Sequence, residues 1–124
     1  MYLIDTSVWI QHFRYGDERL TSALEENRVM SHDWITGELA CGHLQQRKVT
    51  LELLDRLPKA PIINSRELLF FIDEHRLFGA GLGLVDIQLL AVCRIANCGL
   101  WTNDKALIDA AKRLKISVAN SLPH

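Results

Sequence analysis

Short apolar runs alternate along the chain with longer stretches in which apolar residues recur every three or four positions. Met1-Tyr2-Leu3-Ile4-Asp5-Thr6-Ser7 is an apolar run ending in a carboxylate and two hydroxyls. It reads as a short buried strand whose last residue emerges at the sheet edge, where a loop turns into a helix. Ser7 to Phe13 follows as a short helix, with Thr6 or Ser7 as its N-cap and Trp9 and Phe13 one turn apart on one face. Tyr15-Gly16-Asp17 ends it, and Asp17 caps a second helix, Glu18 to Glu26, whose Leu20, Ala23 and Leu24 form a narrow apolar stripe. Val29-Met30-Ser31 predicts a strand. Asp33 or Thr36 then opens a helix holding Glu38, Leu39, Cys41 and Leu44.

Gln45 to Leu57 predicts another helix, with Val49, Leu51, Leu53, Leu54 and Leu57 inside and Arg47, Lys48, Glu52 and Arg56 outside. Pro58 and Pro61 bracket its end and introduce Ile62-Ile63 as a short strand. Ser65 caps a long helix, Arg66 to Phe78, with Leu68, Leu69, Phe71, Ile72 and Leu77 as its apolar set, and Gly79 to Gly83 is a flexible loop. Leu84 to Asn97 is apolar on nearly every side except at Asp86, Gln88, Arg94 and Asn97, the pattern of a central helix covered on most of its surface. Gly99 to Thr102 is the next strand, Lys105 to Leu114 a helix, and Ile116-Ser117-Val118 a last strand. Strands alternating with helices predict an α/β fold with a parallel sheet and helices on both faces. No internal repeat, low-complexity segment or linker interrupts residues 1–124, which are expected to form one domain.

Composition narrows this reading. A chain of 124 residues, 48% hydrophobic and 23% charged, can bury a core without disulfides or structural metals. There is neither an apolar run of membrane-spanning length nor a basic segment leading into an apolar stretch and cleavage site, so a soluble, unexported protein with no membrane contact is expected. The three cysteines, Cys41, Cys93 and Cys98, form no Cys-x-x-Cys pair and are expected as small buried thiols in a reducing compartment. His12, His32, His43, His75 and His124 show no His-x-His or His-Glu-x-x-His spacing, which argues against zinc and places each at the surface or a helix end. The net charge of −1 argues at first against a nucleic-acid partner.

Four carboxylates change that picture. Asp5, Glu38, Asp86 and Asp104 all lie at junctions between strands, loops and helices. Each has an ordinary explanation: Asp5 and Asp104 as helix caps, Glu38 as a solvent-facing helix residue. Asp86 resists one, because it sits one turn into the most apolar helix with no Lys or Arg three or four positions away. Burying an unpaired carboxylate costs several kcal/mol, of which the helix dipole offsets only about 0.3–1 kcal/mol. Carboxylates about 4 Å apart repel by roughly 4 kcal/mol at an effective dielectric of 20, so such a cluster calls for a divalent cation. Donors that are all oxygen select a hard ion, Mg²⁺ or Mn²⁺, over zinc. If that ion neutralises the four, 14 basic residues face 11 remaining acidic ones, a balance of +3 that permits a nucleic acid. A hard ion in an open acidic site suits phosphodiester hydrolysis, and no Ser-His-Asp or Cys-His set competes for the role.

The order and spacing of these segments resemble the PIN-domain ribonucleases, and among them the VapC-type toxins of bacterial toxin-antitoxin pairs. The resemblance rests on Leu3-Ile4-Asp5-Thr6-Ser7-Val8-Trp9, Thr36-Gly37-Glu38-Leu39, Gly81 through Ala91 with Asp86 at its centre, and Leu100-Trp101-Thr102-Asn103-Asp104-Lys105-Ala106-Leu107. It implies a three-layer α/β/α sandwich around a central parallel sheet, with an acidic pocket at the carboxyl edge. Asp5, Glu38, Asp86 and Asp104 would be the catalytic and metal-binding residues for Mg²⁺ or Mn²⁺, with Asp5 and Asp86 as direct ligands and Thr6 and Thr102 in support. Asn103 stands where many relatives carry a basic residue.

The activity so implied is that of a cytoplasmic endoribonuclease toxin, which cuts single-stranded or looped RNA to leave a 5′-phosphate and a 3′-hydroxyl. It would form a homodimer and be silenced by a cognate antitoxin. Trp9 and Phe13 serve either a partner surface or the core, and Arg14, Arg47, Lys48, Arg66 and Lys105 are candidates for phosphate contacts. Gly79 to Gly83 lacks the third glycine of a dinucleotide loop and the Gly-Lys-Ser or Gly-Lys-Thr of a P-loop. A receiver domain would need an acidic pair after the first strand, where Asp5 is followed by Thr6 and Ser7, and a dehalogenase-type phosphatase would need Asp at position 7. The remaining alternative is a non-catalytic binding module of the same fold.

Overall fold

The computed structural model describes residues 1–119. Its elements are β1 (Tyr2–Ile4), α1 (Thr6–Tyr15), α2 (Glu18–Glu25), β2 (Val29–Met30), α3 (Asp33–Cys41), α4 (Arg47–Arg56), α5 (Ser65–Glu74), α6 (Leu84–Ala96), β3 (Gly99–Trp101), α7 (Lys105–Arg113) and β4 (Val118–Ala119). The four strands form one parallel sheet in the order β2-β1-β3-β4. From β1 the chain steps out to β2, crosses back over β1 to β3, and steps out again to β4. The direction of winding therefore reverses between β1 and β3, and in such sheets the crevice at that reversal, beyond the carboxyl ends of the strands, is where ligands bind.

Neighbouring residues of a strand point to opposite faces. Leu3 and Ile4 on β1 are both fully buried, as are Leu100 and Trp101 on β3, so both faces of the sheet are covered by helices. This is the predicted three-layer arrangement. Ile87 through Cys93 on α6 form an unbroken run of buried residues, confirming that helix as central. Among the described residues no helix is long and apolar enough to cross a membrane.

Several local expectations are corrected. Residues 62–63 form no strand; the backbone N–H and C=O of Ile63 bond instead to the side-chain amide of Gln88, at 2.7 and 3.0 Å. Pro58 and Pro61 lack the N–H groups a ladder needs, and a parallel bridge from Ser31 to Lys59 is the remnant of pairing there. The last strand starts two residues later than expected, after Lys115 turns through the left-handed region and Ile116 is buried. Asn64 rather than Ser65 caps α5 and the His32 ring rather than Asp33 or Thr36 caps α3; Asp5, offered from sequence beside Thr6 and Ser7, caps α1, and Asp17 caps α2 as expected. The third helix stops at Cys41, leaving Leu44 in the loop, and α5 stops at Glu74 ahead of a left-handed Arg76.

Side-chain exposure departs from the pattern too. Val49, Leu53 and Leu69, expected inside, lie exposed on α4 and α5, and Cys41 is exposed while Cys93 and Cys98 are buried. Trp9 is buried and stacked on half-buried Phe13 with ring centroids 5.6 Å apart, which assigns Trp9 to the core. His32, expected at the surface or a helix end, caps α3 as a helix-end residue but is 0% exposed. Its Nδ1 accepts the Trp34 N–H at 3.0 Å and its Nε2 lies 3.3 Å from Gln88 Oε1, partners that require the neutral ring protonated on Nε2. Burial holds its pKa below the usual histidine range against the opposing pull of that Gln88 bond. The fifth histidine, His124, lies outside the described residues.

Candidate functional site

Each of the four carboxylates is delivered to the β1–β3 reversal by its own element. Asp5 follows β1 directly and caps α1; its N–H bonds the Trp101 carbonyl at 2.9 Å, fastening it to the end of β3. Thr102 and Asp104 follow β3, with Asp104 capping α7 through the Leu107 N–H at 3.2 Å. Asp86 lies in the first turn of α6 and accepts the Gly83 N–H at 2.9 Å, half of a capping box. Glu38 reaches in from α3, where the Thr6 hydroxyl donates to its Oε1 at 2.6 Å. Three helix N-termini thus meet at the acids, and each dipole offsets about 0.3–1 kcal/mol of their charge.

Asp5 is the best anchored. Its Oδ1 accepts the Thr6 N–H at 2.8 Å, and its Oδ2 accepts the hydroxyls of Thr102 at 2.8 Å and Ser7 at 3.3 Å. Thr102 is itself fully buried, and its oxygen in turn accepts the Asp104 N–H at 3.1 Å, so one hydroxyl ties two of the acids together. Ser7 was not singled out from sequence, although the Asp5-Thr6-Ser7 triplet contained the signal: a second hydroxyl two residues past the acid can turn back onto it.

Capping and ligand binding do not exclude each other here. Asp86, Glu38 and Asp104 each commit one carboxylate oxygen to a hydrogen bond within the fold and keep the other, and Asp5 Oδ1 retains a lone pair beyond its bond to Thr6. Among the described residues the ion pairs are Arg28–Glu26, Lys59–Asp33 and Lys59–Asp55, so no cationic side chain neutralises the four. The electrostatic consequence is direct. Burial pushes the Asp5 carboxyl up, its three hydrogen bonds pull it down, and the Asp104 charge adds to the rise. Burial also raises Asp86, opposed by the Gly83 N–H and reinforced by the charges of Asp5, Asp104 and Glu38. The acids therefore feel one another as a single negative cluster.

Among the described residues no group of three Asp, Glu, His or Cys side chains is placed to hold a metal ion as it stands. The donor set still fits a hard divalent cation, because Mg²⁺ keeps several waters and takes one or two carboxylates rather than a complete protein cage. Of the expected phosphate contacts, Arg14, Arg47, Lys48, Arg66 and Lys105 are all exposed, and none forms an ion pair with the acids. Asn103 donates to Gln11 on α1 at 3.4 Å, beside the pocket.

The PIN domain family matches residues 2–113. A protein named Ribonuclease VapC32, from Mycobacterium tuberculosis strains H37Rv and CDC 1551, is 39% identical over 123 residues, covering 98% of this chain and 99% of its own. Among solved structures, FitAcB from Neisseria gonorrhoeae superposes with a TM-score of 0.65 at 19% identity over 98% of both chains. FitAB bound to an IR36 DNA fragment gives 0.64 at 16% over 100% of this chain and 99% of that one. PAE2754 from Pyrobaculum aerophilum gives 0.61 at 16% over 95% of this chain and 82% of that one. These three likenesses establish the shared fold.

Proposed function

The chain belongs to the PIN-domain family, and from that membership we propose that it is a divalent-metal-dependent endoribonuclease acting as the toxin of a toxin-antitoxin pair. Asp5, Glu38, Asp86 and Asp104 are its catalytic pocket and hold the cation, Mg²⁺ or Mn²⁺, with Thr6 and Thr102 in support; residues 1–124 act as one nuclease domain. The observation that carries the reading is the convergence of four carboxylates, two of them pushed up in pKa, on the β1–β3 reversal with no cationic side chain among the described residues to offset them.

When bound, a hard divalent cation supplies activation of water near neutral pH and stabilises the charge that develops on the phosphate and its leaving oxygen. The chain's own residues hold that chemistry in place. Thr102, Ser7 and the Thr6 N–H fix Asp5 so that its remaining lone pair faces one direction, and Thr6 fixes Glu38 through its hydroxyl. Anchoring of this kind reduces the reorganisation needed as charge develops. Asn103 and Gln11 border the pocket with neutral donors and acceptors, the chemistry that meets unpaired base edges.

The cognate antitoxin is the protein partner and RNA the substrate. A homodimer is the assembly we propose, supported by a groove of about 370 Å³ whose lining includes exposed Phe70 and Ile95 with Phe71 and Ala91. We place the protein in the cytoplasm, where free thiols such as Cys93 and Cys98 are kept or returned to the reduced state. The test incubates wild type and Asp5→Asn with a structured RNA mixture in Mg²⁺, Mn²⁺ or EDTA and maps the ends. Cleavage by wild type alone, lost in EDTA and leaving 5′-phosphates, is expected. Equal cleavage by both proteins, or none by either, would overturn the assignment.

A further inference from the structure

Away from the acids, Cys93 on α6 and Cys98 just before β3 bring their sulfurs to 3.6 Å. The chain between them is already closed. Asn97, left-handed at φ 52°, caps the helix, and its N–H and that of Cys98 both bond the Cys93 carbonyl, the latter at 3.2 Å. A disulfide, at about 2.05 Å between sulfurs, requires the two to close the remaining gap from 3.6 Å. Cys93 Sγ is also oriented by a bond to the Gly99 carbonyl at 3.6 Å.

The two thiols are not equivalent. Cys98 keeps 8% of its surface exposed and Cys93 only 2%, so a small oxidant meets Cys98 first. Once Cys98 ionises, the Cys93 S–H must turn from the Gly99 carbonyl to the Cys98 sulfur; that bond brings the Cys98 thiol down to about 7 despite burial, while Cys93 is pushed up and keeps its proton. The thiolate is the nucleophile in such chemistry. The third thiol, Cys41, is exposed at the end of α3.

We propose that Cys93 and Cys98 are a reversible redox site, in which a peroxide closes a disulfide across the corner between α6 and β3. The Cys98 thiolate attacks one peroxide oxygen, the O–O bond breaks, and the departing hydroxide takes up the proton Cys98 had shed, giving water and a sulfenic acid. Cys93 sulfur then attacks Cys98 sulfur; the S–O bond breaks, and the hydroxyl leaves as a second water with the Cys93 proton. Two thiols have lost two electrons and one peroxide has become two waters. A dithiol reductant reverses the bridge by exchange. The bond would tie the far end of the Asp86 helix to the entry of the strand leading to Thr102 and Asp104, acting on the frame of the site and not on its acids.

The test treats the reduced full-length chain with equimolar hydrogen peroxide, blocks remaining thiols with an alkylating agent and digests with trypsin. Cleavage after Arg76, Arg94 and Lys105 separates the two cysteines, so the bridge appears as peptide 77–94 linked to peptide 95–105 and lighter than their sum by two hydrogens. The expected result is that link, a thiol titre falling from three to one, and recovery with dithiothreitol. Cys41→Ser should behave as wild type and Cys98→Ser should form no link. A link through Cys41, a sulfinic acid on Cys98 without a link, or three thiols left unmodified would overturn the proposal.

Discussion

Two buried polar clusters in this molecule are built on opposite principles. In the first, His32, Gln88 and the Ile63 backbone satisfy one another: the neutral ring accepts from Trp34 and reaches Gln88, whose amide replaces a strand for Ile63. Gln88 and His32 are both 0% exposed, yet nothing there asks for a further partner. In the second, at the carboxyl edge of the sheet, acceptors outnumber donors. Six hydrogen bonds from Thr6, Ser7, Thr102, Gly83 and Leu107 restrain four carboxylates whose charges remain unneutralised among the described residues. A closed polar cluster stabilises a fold, whereas an open one of a single sign makes the fold depend on something it binds.

Substitutions sharpen that contrast. Asp5→Asn keeps a capping oxygen and the shape of the side chain but removes a charge from the pocket. RNA cleavage should fall by about 10²–10³-fold, the scale of losing one preorganised electrostatic group, with no loss of metal-free stability; initial cleavage rates and thermal melts together check it. Gln88→Leu breaks the other cluster. It strands the Ile63 N–H and C=O and the His32 ring, and should cost about 2–4 kcal/mol of stability, read by urea unfolding, while leaving the response to divalent ions intact. Should Gln88→Leu abolish that response as well, the two clusters are not independent.

A smaller effect belongs to Thr102→Val, which removes both the hydroxyl that anchors Asp5 and the acceptor of the Asp104 N–H. Divalent-ion affinity should weaken by about 10–100-fold, as for other supports of metal ligands; titration followed by calorimetry measures it. The mildest is a pH effect. His32 is held below its ordinary pKa of 6.5, so between that value and its folded one the unfolded chain binds the extra proton. Its contribution to stability is complete above about pH 6.5 and is lost as pH falls below that. His32→Asn, which retains a helix cap, should flatten this part of the stability profile between pH 7 and 5.

The sequence pattern made the acid edge legible for a physical reason. Asp5 ends an apolar run, Asp104 follows another, and Asp86 interrupts the most apolar helix, so each is an anomaly within its own segment. Glu38 is not, since an acid on a half-solvated helix face is ordinary; it joined the set by its place at a junction between segments, as the other three do. The closed cluster left no such trace. Gln88 reads as one polar position on α6 and His32 as a surface or helix-end ring, and their contact spans 56 residues that no local period relates. The α5 cap was misplaced by one residue because Asn64 and Ser65 are both good capping side chains, and the adjoining Asp5, Thr6 and Ser7 left the α1 cap open among three. Val49 and Leu69 carry the apolar period of their helices yet lie exposed, which a period within one helix does not reveal.

The central claim is that the four acids form a site left open for a divalent cation. It is tested most directly by thermal unfolding of wild type and Asp86→Asn, each stripped of metal and then titrated with Mn²⁺. Because Asp86 is raised above its ordinary pKa in the fold, its ionised form costs stability at neutral pH. The metal-free variant should therefore melt above the metal-free wild type. Added Mn²⁺ should raise wild type strongly and the variant little, since a ligand that binds only the folded state stabilises it in proportion to its affinity. A wild-type melting temperature indifferent to Mn²⁺, or an equal rise in both proteins, would contradict the account.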